Sequence, residues 1–229
     1  MTEMAETLFE AGQSAAHKPG FIVVEGPIGV GKTTLARRLA GSFGSDLLLE
    51  GADENPFLEK FYADPKAAAF PTQLFFLLQR ARQMKAMKQE DMFTPVRVSD
   101  FLIEKDRLFA ELTLDADELD LYEQVYASLT IDVPRPDLVV YLQAPVEVLL
   151  ERIQTRGHKH EQYIESAYLQ RLCDTYIQFF YQYNSAPLLI VNAADIDFAN
   201  NDDDYKLLYQ RITEVKSGRH YFNPTQVAL

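Results

Sequence analysis

The run from Phe21 to Leu39, Phe-Ile-Val-Val-Glu-Gly-Pro-Ile-Gly-Val-Gly-Lys-Thr-Thr-Leu-Ala-Arg-Arg-Leu, constrains the fold more than any other stretch, because it dictates a backbone path and a charge preference together. From Gly26 to Thr33 it reads G-x-x-x-x-G-K-[ST]. The β-branched run Phe21 to Val24 before it suits a strand buried on both faces, and Leu35 and Leu39 after it recur at helical period. Strand, glycine loop and helix follow in the order a phosphate-binding loop requires. Gly26, Gly29 and Gly31 allow positive φ, so that backbone N–H groups turn inward as an anion nest closed by the helix N-terminus. The whole segment Gly26, Pro27, Ile28, Gly29, Val30, Gly31, Lys32, Thr33 and Thr34 is expected to cradle a polyphosphate. Lys32 reaches the β- and γ-phosphates and the Thr33 hydroxyl faces Mg²⁺.

Such a loop names a phosphoryl donor and leaves the acceptor open, so the rest of the chain has to supply it. Apolar runs at Leu47–Leu49, Val96–Asp100, Leu138–Leu142 and Leu188–Val191 alternate with helical patterns. The helical patterns run to about Phe43 and over Pro71–Met92, Phe101–Leu112, Asp115–Leu129, about Val146–Arg152, Tyr163–Tyr183 and Asp204–Val215. Asn55-Pro56 is expected to start a further short helix, Asn as its cap. Continuous apolar strands between helices predict an α/β fold: a doubly wound, five-stranded parallel sheet covered on both faces, with its ligand at the strand carboxyl ends. The 229 residues divide into an arm over 1–19, one domain over 20–216 and a polar tail over 217–229. Asn200–Asp204 reads as a solvated loop and helix cap.

Strand-end residues converge in such a sheet, which brings Glu50 and Asp100 toward the γ-phosphate. One carboxylate suits a proton acceptor and the other a Mg²⁺ ligand. Arg152, Arg156 and Lys159 surround Gly157, as expected of a cationic lid closing over a transferring phosphoryl group. His158 and His160, at i and i+2 without cysteine partners, do not suit zinc.

A net charge of −12 argues against a nucleic-acid partner, whose phosphates need Lys and Arg. No apolar run approaches the roughly 18 residues of a membrane helix, and Met1–Pro19 carries acid where a signal peptide is basic. Cys173 is alone, so no internal disulfide forms and a reducing cytoplasm is expected; its place in a helical pattern suits a buried apolar role.

Taken in order, Glu50, Asn55-Pro-Phe-Leu-Glu-Lys-Phe-Tyr62, Gln73 with Arg80, Val98-Ser-Asp100, Arg156-Gly and Glu161-Gln resemble the deoxyribonucleoside kinases, and within them the bacterial deoxyadenosine/deoxyguanosine branch. The resemblance covers about Phe21 to Phe198 and implies ATP, Mg²⁺, a small deoxynucleoside substrate and a homodimer packed through helices like Pro71–Met92. It implies that Glu50 is the base on the 5′-hydroxyl, that Tyr62 and Glu161 hold the 3′-hydroxyl, and that Gln73 pairs with the base edge beside Arg80. Lys32, Arg152 and Arg156 then offset developing charge, while Thr33 and Asp100 hold the metal. Phe57 or Phe76 is available to stack on the base, and the loop near Asp195–Phe198 is expected to meet the ATP base.

Two departures stand out. Many relatives from animals carry Glu-Arg-Ser where this chain has Ser99-Asp100-Phe101, and the lid of many relatives has a second arginine where this chain has His158. A thymidylate-kinase-like monophosphate kinase shares loop, fold and lid, but needs basic residues for an acceptor phosphate where this chain offers Glu50, Tyr62 and Gln73. A GTPase switch would need Asp-x-x-Gly and Asn-Lys-x-Asp, which the sequence lacks, and intact Lys32, Thr33 and Glu50 argue against a purely structural protein on this fold.

Overall fold

A computed structural model describes residues 20–89, 96–129 and 134–224; the N-terminal arm, Met92 and the last five residues of the tail lie outside the described residues. The central strand β1 (Phe21–Glu25) is buried throughout and leads into helix α1 (Lys32–Phe43), which Gly44 ends in the left-handed conformation. Gly41 lies inside that helix. Strand β2 (Asp46–Leu48), a 3-10 turn at Ala52–Glu54 and helix α2 (Leu58–Ala63) follow. Asn55 does not cap α2 directly. It accepts from the Phe57 amide at 3.0 Å and donates to the Thr72 carbonyl at 3.1 Å, tying the turn before α2 to the next helix.

That next helix, α3 (Pro65–Gln89), starts six residues earlier than its apolar pattern suggests and runs through Pro71. Pro65 fits a first turn because its missing N–H is not needed there. Ala68 and Ala69 are buried against Leu58 and Phe61, so small side chains let α2 and α3 approach closely. Strand β3 (Arg97–Ser99) precedes α4 (Lys105–Thr113) and α5 (Ala116–Ser128), the latter opened by a capping box between Asp115 and Glu118. Strand β4 (Leu138–Gln143) then feeds α6 (Val146–Arg156), which extends one turn past the expected Arg152 and stops on Gly157 at φ +70°. A 3-10 turn (Lys159–Tyr163), α7 (Ser166–Gln182), β5 (Leu188–Asn192), α8 (Asp202–Glu214) and β6 (Arg219–Phe222) complete the described chain. Asn201 caps α8 by accepting from the Asp203 and Asp204 amides.

All pairings are parallel in the order β2-β3-β1-β4-β5-β6, with Phe21 opposite Arg97, Ile22 opposite Leu138 and Leu188 opposite both Val139 and Arg219. The sixth strand corrects the expected five and turns part of the polar tail into structure. Its four residues alternate exposed and half-buried at the sheet edge, a pattern too short and polar to read as a buried strand. Arg219 fastens it by donating to the carbonyls of Phe180, Tyr181 and Tyr183 at the C-terminal end of α7. Because β1 lies between β3 and β4, the chain reverses direction across the sheet there, and the crevice at that point is where parallel α/β sheets bind ligands.

Candidate active site

The glycine loop occupies that crevice. Gly26, Gly29 and Gly31 all take positive φ, as the motif requires. At Gly29, φ is +83° and an added Cβ would lie 2.9 Å from the Leu149 carbonyl oxygen and 2.8 Å from Ile153, so no other residue fits the path unchanged. Helix α1 has neither a side-chain cap nor an acidic residue in its first turn, which leaves its amide donors and positive end to an anion. Lys32 folds back so that Nζ donates to the carbonyls of Gly26 (2.8 Å) and Pro27 (3.2 Å). Burial, then the neighbouring Lys105 ammonium, pushes the Lys32 pKa down, while Glu25, Glu50 and Asp100 oppose the shift. A partly desolvated ammonium of this kind gains from a polyphosphate.

Alignment of β2 with β3 brings the two expected carboxylates together. Asp100 Oδ1 accepts from the Glu50 amide at 2.7 Å, and Oδ2 accepts from the Thr33 hydroxyl at 2.5 Å. Burial, with Glu50 adding to it, raises the Asp100 pKa against the help of the Thr33 hydrogen bond. Its two partners are neutral, so a cation would offset that burial. Mg²⁺ takes hard oxygens from one or two carboxylates together with phosphates and water, and Thr33 and Asp100 fit that donor set.

Glu50 is set differently. Its Oε1 accepts from the Arg80 guanidinium and lies 3.0 Å from Lys105 Nζ. Desolvation would raise its pKa, but Lys105, Arg80 and Lys32 outweigh that and bring it down to about 2. Three residues of this network escaped the sequence reading. Glu25 at the end of β1 is fully enclosed, accepting from the Gly26 amide (2.7 Å), the Leu102 amide (3.1 Å) and the Tyr176 hydroxyl (3.0 Å), and pairing with Lys105 at 3.2 Å. Asp106, also buried, pairs with Arg80. A signal for Lys105 existed: it precedes Leu108 and Phe109 by three and four residues, which places it on the apolar side of α4.

Above this network opens a cleft of 460 Å³, walled by Tyr62, Gln73, Phe76, Arg80 and Glu161 and reaching Lys32 and Thr33 at its floor. Gln73 is buried and donates to the Thr113 hydroxyl at 3.2 Å, a partner the sequence did not suggest. Burial lifts the Tyr62 pKa well above its usual range, so the phenol stays protonated. Phe76 faces the cleft, whereas Phe57 is exposed and meets Phe75 edge-on, away from it. Arg156 forks onto Glu161, with Nε to Oε2 at 3.0 Å and Nη2 to Oε1 at 2.5 Å. Arg152, one turn earlier, is drawn elsewhere: it donates to the carbonyls of Val30 (3.3 Å) and Ala193 (2.7 Å). There it borders a second cavity of 250 Å³ beside the glycine loop, with Ile196, Asp197 and Phe198 and with Arg156, which lines both cavities. His158 lies 3.5 Å from Asp53, and Lys159 is exposed.

A parallel sheet with its glycine loop at the reversal point, a carboxylate pair above it and two adjoining cavities defines a phosphate-loop kinase fold. The chain belongs to the deoxynucleoside kinase family, whose model, described as "Deoxynucleoside kinase", matches residues 22–216. It is 36% identical over 201 residues to a deoxyguanosine kinase of Bacillus subtilis, covering 85% of this chain and 97% of that protein. Against the deoxyadenosine/deoxycytidine kinase of the same organism it is 31% identical over 206 residues, with 86% and 94% covered. A solved structure of deoxyadenosine kinase from M. mycoides with dCMP and a flexible dCDP bound superposes with a TM-score of 0.73 at 25% identity, covering 83% of this chain and 97% of that one.

Proposed function

We propose that this protein transfers the γ-phosphoryl group of ATP to the 5′-hydroxyl of a purine deoxyribonucleoside, deoxyguanosine or deoxyadenosine. The observation that carries the reading is the position of Glu50, an ionised carboxylate in the wall of the cleft that also holds the loop lysine and the buried amide of Gln73. Gln73 offers a donor and an acceptor side by side to a base edge, in a cleft that Phe76 and Arg80 also line. Tyr62 and Glu161 are assigned to the 3′-hydroxyl. The purine preference rests on the relatives named for deoxyguanosine and deoxyadenosine.

In the reaction the 5′-oxygen forms a bond to the γ-phosphorus as the bond to the β-bridging oxygen breaks, and ADP leaves. A carboxylate with a pKa of about 2 is a weak base, so Glu50 first orients the hydroxyl by accepting its hydrogen bond. The proton follows late, as suits a loose transition state with little bond formation to the nucleophile. Lys32 and the loop amides hold the phosphates, and Arg152 and Arg156 offset charge from the lid side. Mg²⁺, held by Thr33 and Asp100, would neutralise phosphate oxygens when bound. A monophosphate acceptor is disfavoured because the buried cations of the cleft, Arg80 and Lys105, are each already paired with carboxylates. Among the described residues no helix is long and apolar enough to cross a membrane. Family resemblance further supports a cytoplasmic homodimer with its catalytic domain over residues 20–216.

The test is Glu50→Gln assayed by ADP release across deoxynucleosides, monophosphates and a no-acceptor control. Turnover should fall about 10²–10⁴-fold while the deoxynucleoside still raises the melting temperature. A wild-type rate in this variant would show that the base lies elsewhere.

A further inference from the structure

Glu50 sits in a frame of five buried or nearly buried charges: Glu25, Lys105, Glu50, Arg80 and Asp106, alternating in sign along the chain of contacts. Each cation has two partners. Lys105 joins Glu50 to Glu25, and Arg80 joins Glu50 to Asp106. The outer carboxylates are enclosed, at 0% and 2% exposure, whereas Glu50 is 18% exposed and opens on the cleft. Three carboxylates against two cations leave one negative charge over, and Glu50 is the member that meets the cleft. Both cations make their nearest approach to the same oxygen, Oε1. The Glu25 end does not yield, since two backbone amides and the Tyr176 hydroxyl fix that carboxylate from other directions. A cation thus stands beside Glu50 even though Ser99-Asp100-Phe101 lacks an arginine.

We propose that Lys105 is a positioning residue for phosphoryl transfer: braced on Glu25, it holds Glu50 by Oε1 and thereby presents Oε2 to the substrate hydroxyl. It lines the same cleft as Glu50, and the role assigned to it acts through that carboxylate. The inference rests on Glu50 being the group that receives the 5′-hydroxyl. Lost alignment of a reacting group by about 1 Å is enough to slow a reaction about 10²-fold.

Lys105→Met keeps most of the stem and removes the ammonium. It should lower kcat about 10- to 10²-fold while the nucleoside KM stays within about twofold, and Lys105→Arg should recover part of the loss. In the Glu50→Gln background, adding Lys105→Met should cost no more than about threefold, because a brace has no effect once the braced group is gone. Losses that multiply in the double variant, a raised KM at unchanged kcat, or a wild-type kcat in Lys105→Met would each overturn the proposal. If Lys105→Met strands Glu25 and does not fold, Glu25→Gln/Lys105→Met removes both charges and carries the same readouts. Wild-type turnover in Glu50→Gln alone would instead sink the assignment of Glu50, a result distinguishable from any behaviour of Lys105.

Discussion

The sharpest test of the buried frame is to remove Arg80, which is 3% exposed and pairs with Asp106 at 2% exposure. Beyond the Arg80 ion pair no hydrogen bond reaches either Asp106 carboxyl oxygen among the described residues, so Arg80→Met strands a buried charge. Glu50 suffers less, since Lys105 remains beside it. Breaking a buried ion pair from one side costs about 3–5 kcal/mol, most of it the penalty of the orphaned partner. For a chain of this size about 2 °C is lost per kcal/mol, which gives a fall in melting temperature of about 6–10 °C. Adding Asp106→Asn to Arg80→Met removes the stranded charge and should restore at least half of that loss, although each single change destabilises. Thermal denaturation followed by circular dichroism at neutral pH measures all four corners of the cycle. A melting temperature within about 2 °C of wild type in Arg80→Met, or costs that simply add in the double variant, would refute the reasoning.

Three further outcomes follow from the same geometry. Gly29→Ala forces a left-handed φ and a contact with the Leu149 carbonyl, so nucleotide-induced stabilisation should disappear while the far-ultraviolet spectrum stays native; retained nucleotide binding would contradict the assigned loop path. Glu50 has a folded pKa of about 2 against an ordinary value of 4.5, so its ion pairs contribute stability above pH 4.5 that is lost as pH falls toward 2. About 2 kcal/mol of it should be gone by pH 3, read as a steeper acid dependence of urea unfolding in wild type than in Glu50→Gln. Burial pushes the Cys173 thiol up to about 11, so at pH 7.5 iodoacetamide should modify the native protein far more slowly than the urea-unfolded one, as intact mass will report.

The parts legible in the sequence are those where one residue type has one physical use. Gly29 and Gly31 announce a backbone path, Lys32 and Thr33 a charge complement, and the strand-end position of Glu50 and Asp100 their convergence. The helix cap within Asn200–Asp204 was equally readable, since Asn201 supplies the specific acceptor. Residues whose meaning depends on distant partners stayed hidden. Lys105 and Asp106 look like the solvated start of a helix until Glu25, Glu50 and Arg80, from β1, the turn after β2 and α3, close around them. Arg152 and Arg156, one helical turn apart, both border the cavity beside the glycine loop, but only Arg156 also reaches the acceptor cleft. Strand β6 was missed because an edge strand needs only one apolar face, and at four residues it has little periodicity to display.

Gln73 and Arg80 project from one uninterrupted helix, seven residues apart, and so stand about 10 Å from each other along its axis. One end of that interval meets Thr113 and the other meets Glu50. Helix α3 is therefore a gauge whose graduation is the pitch of the backbone itself: a molecule held at the amide end has its opposite end delivered to the carboxylate only if it has the right length. Bulkier or smaller heterocycles would have to be accommodated by side chains around Gln73, because the measuring rod cannot stretch.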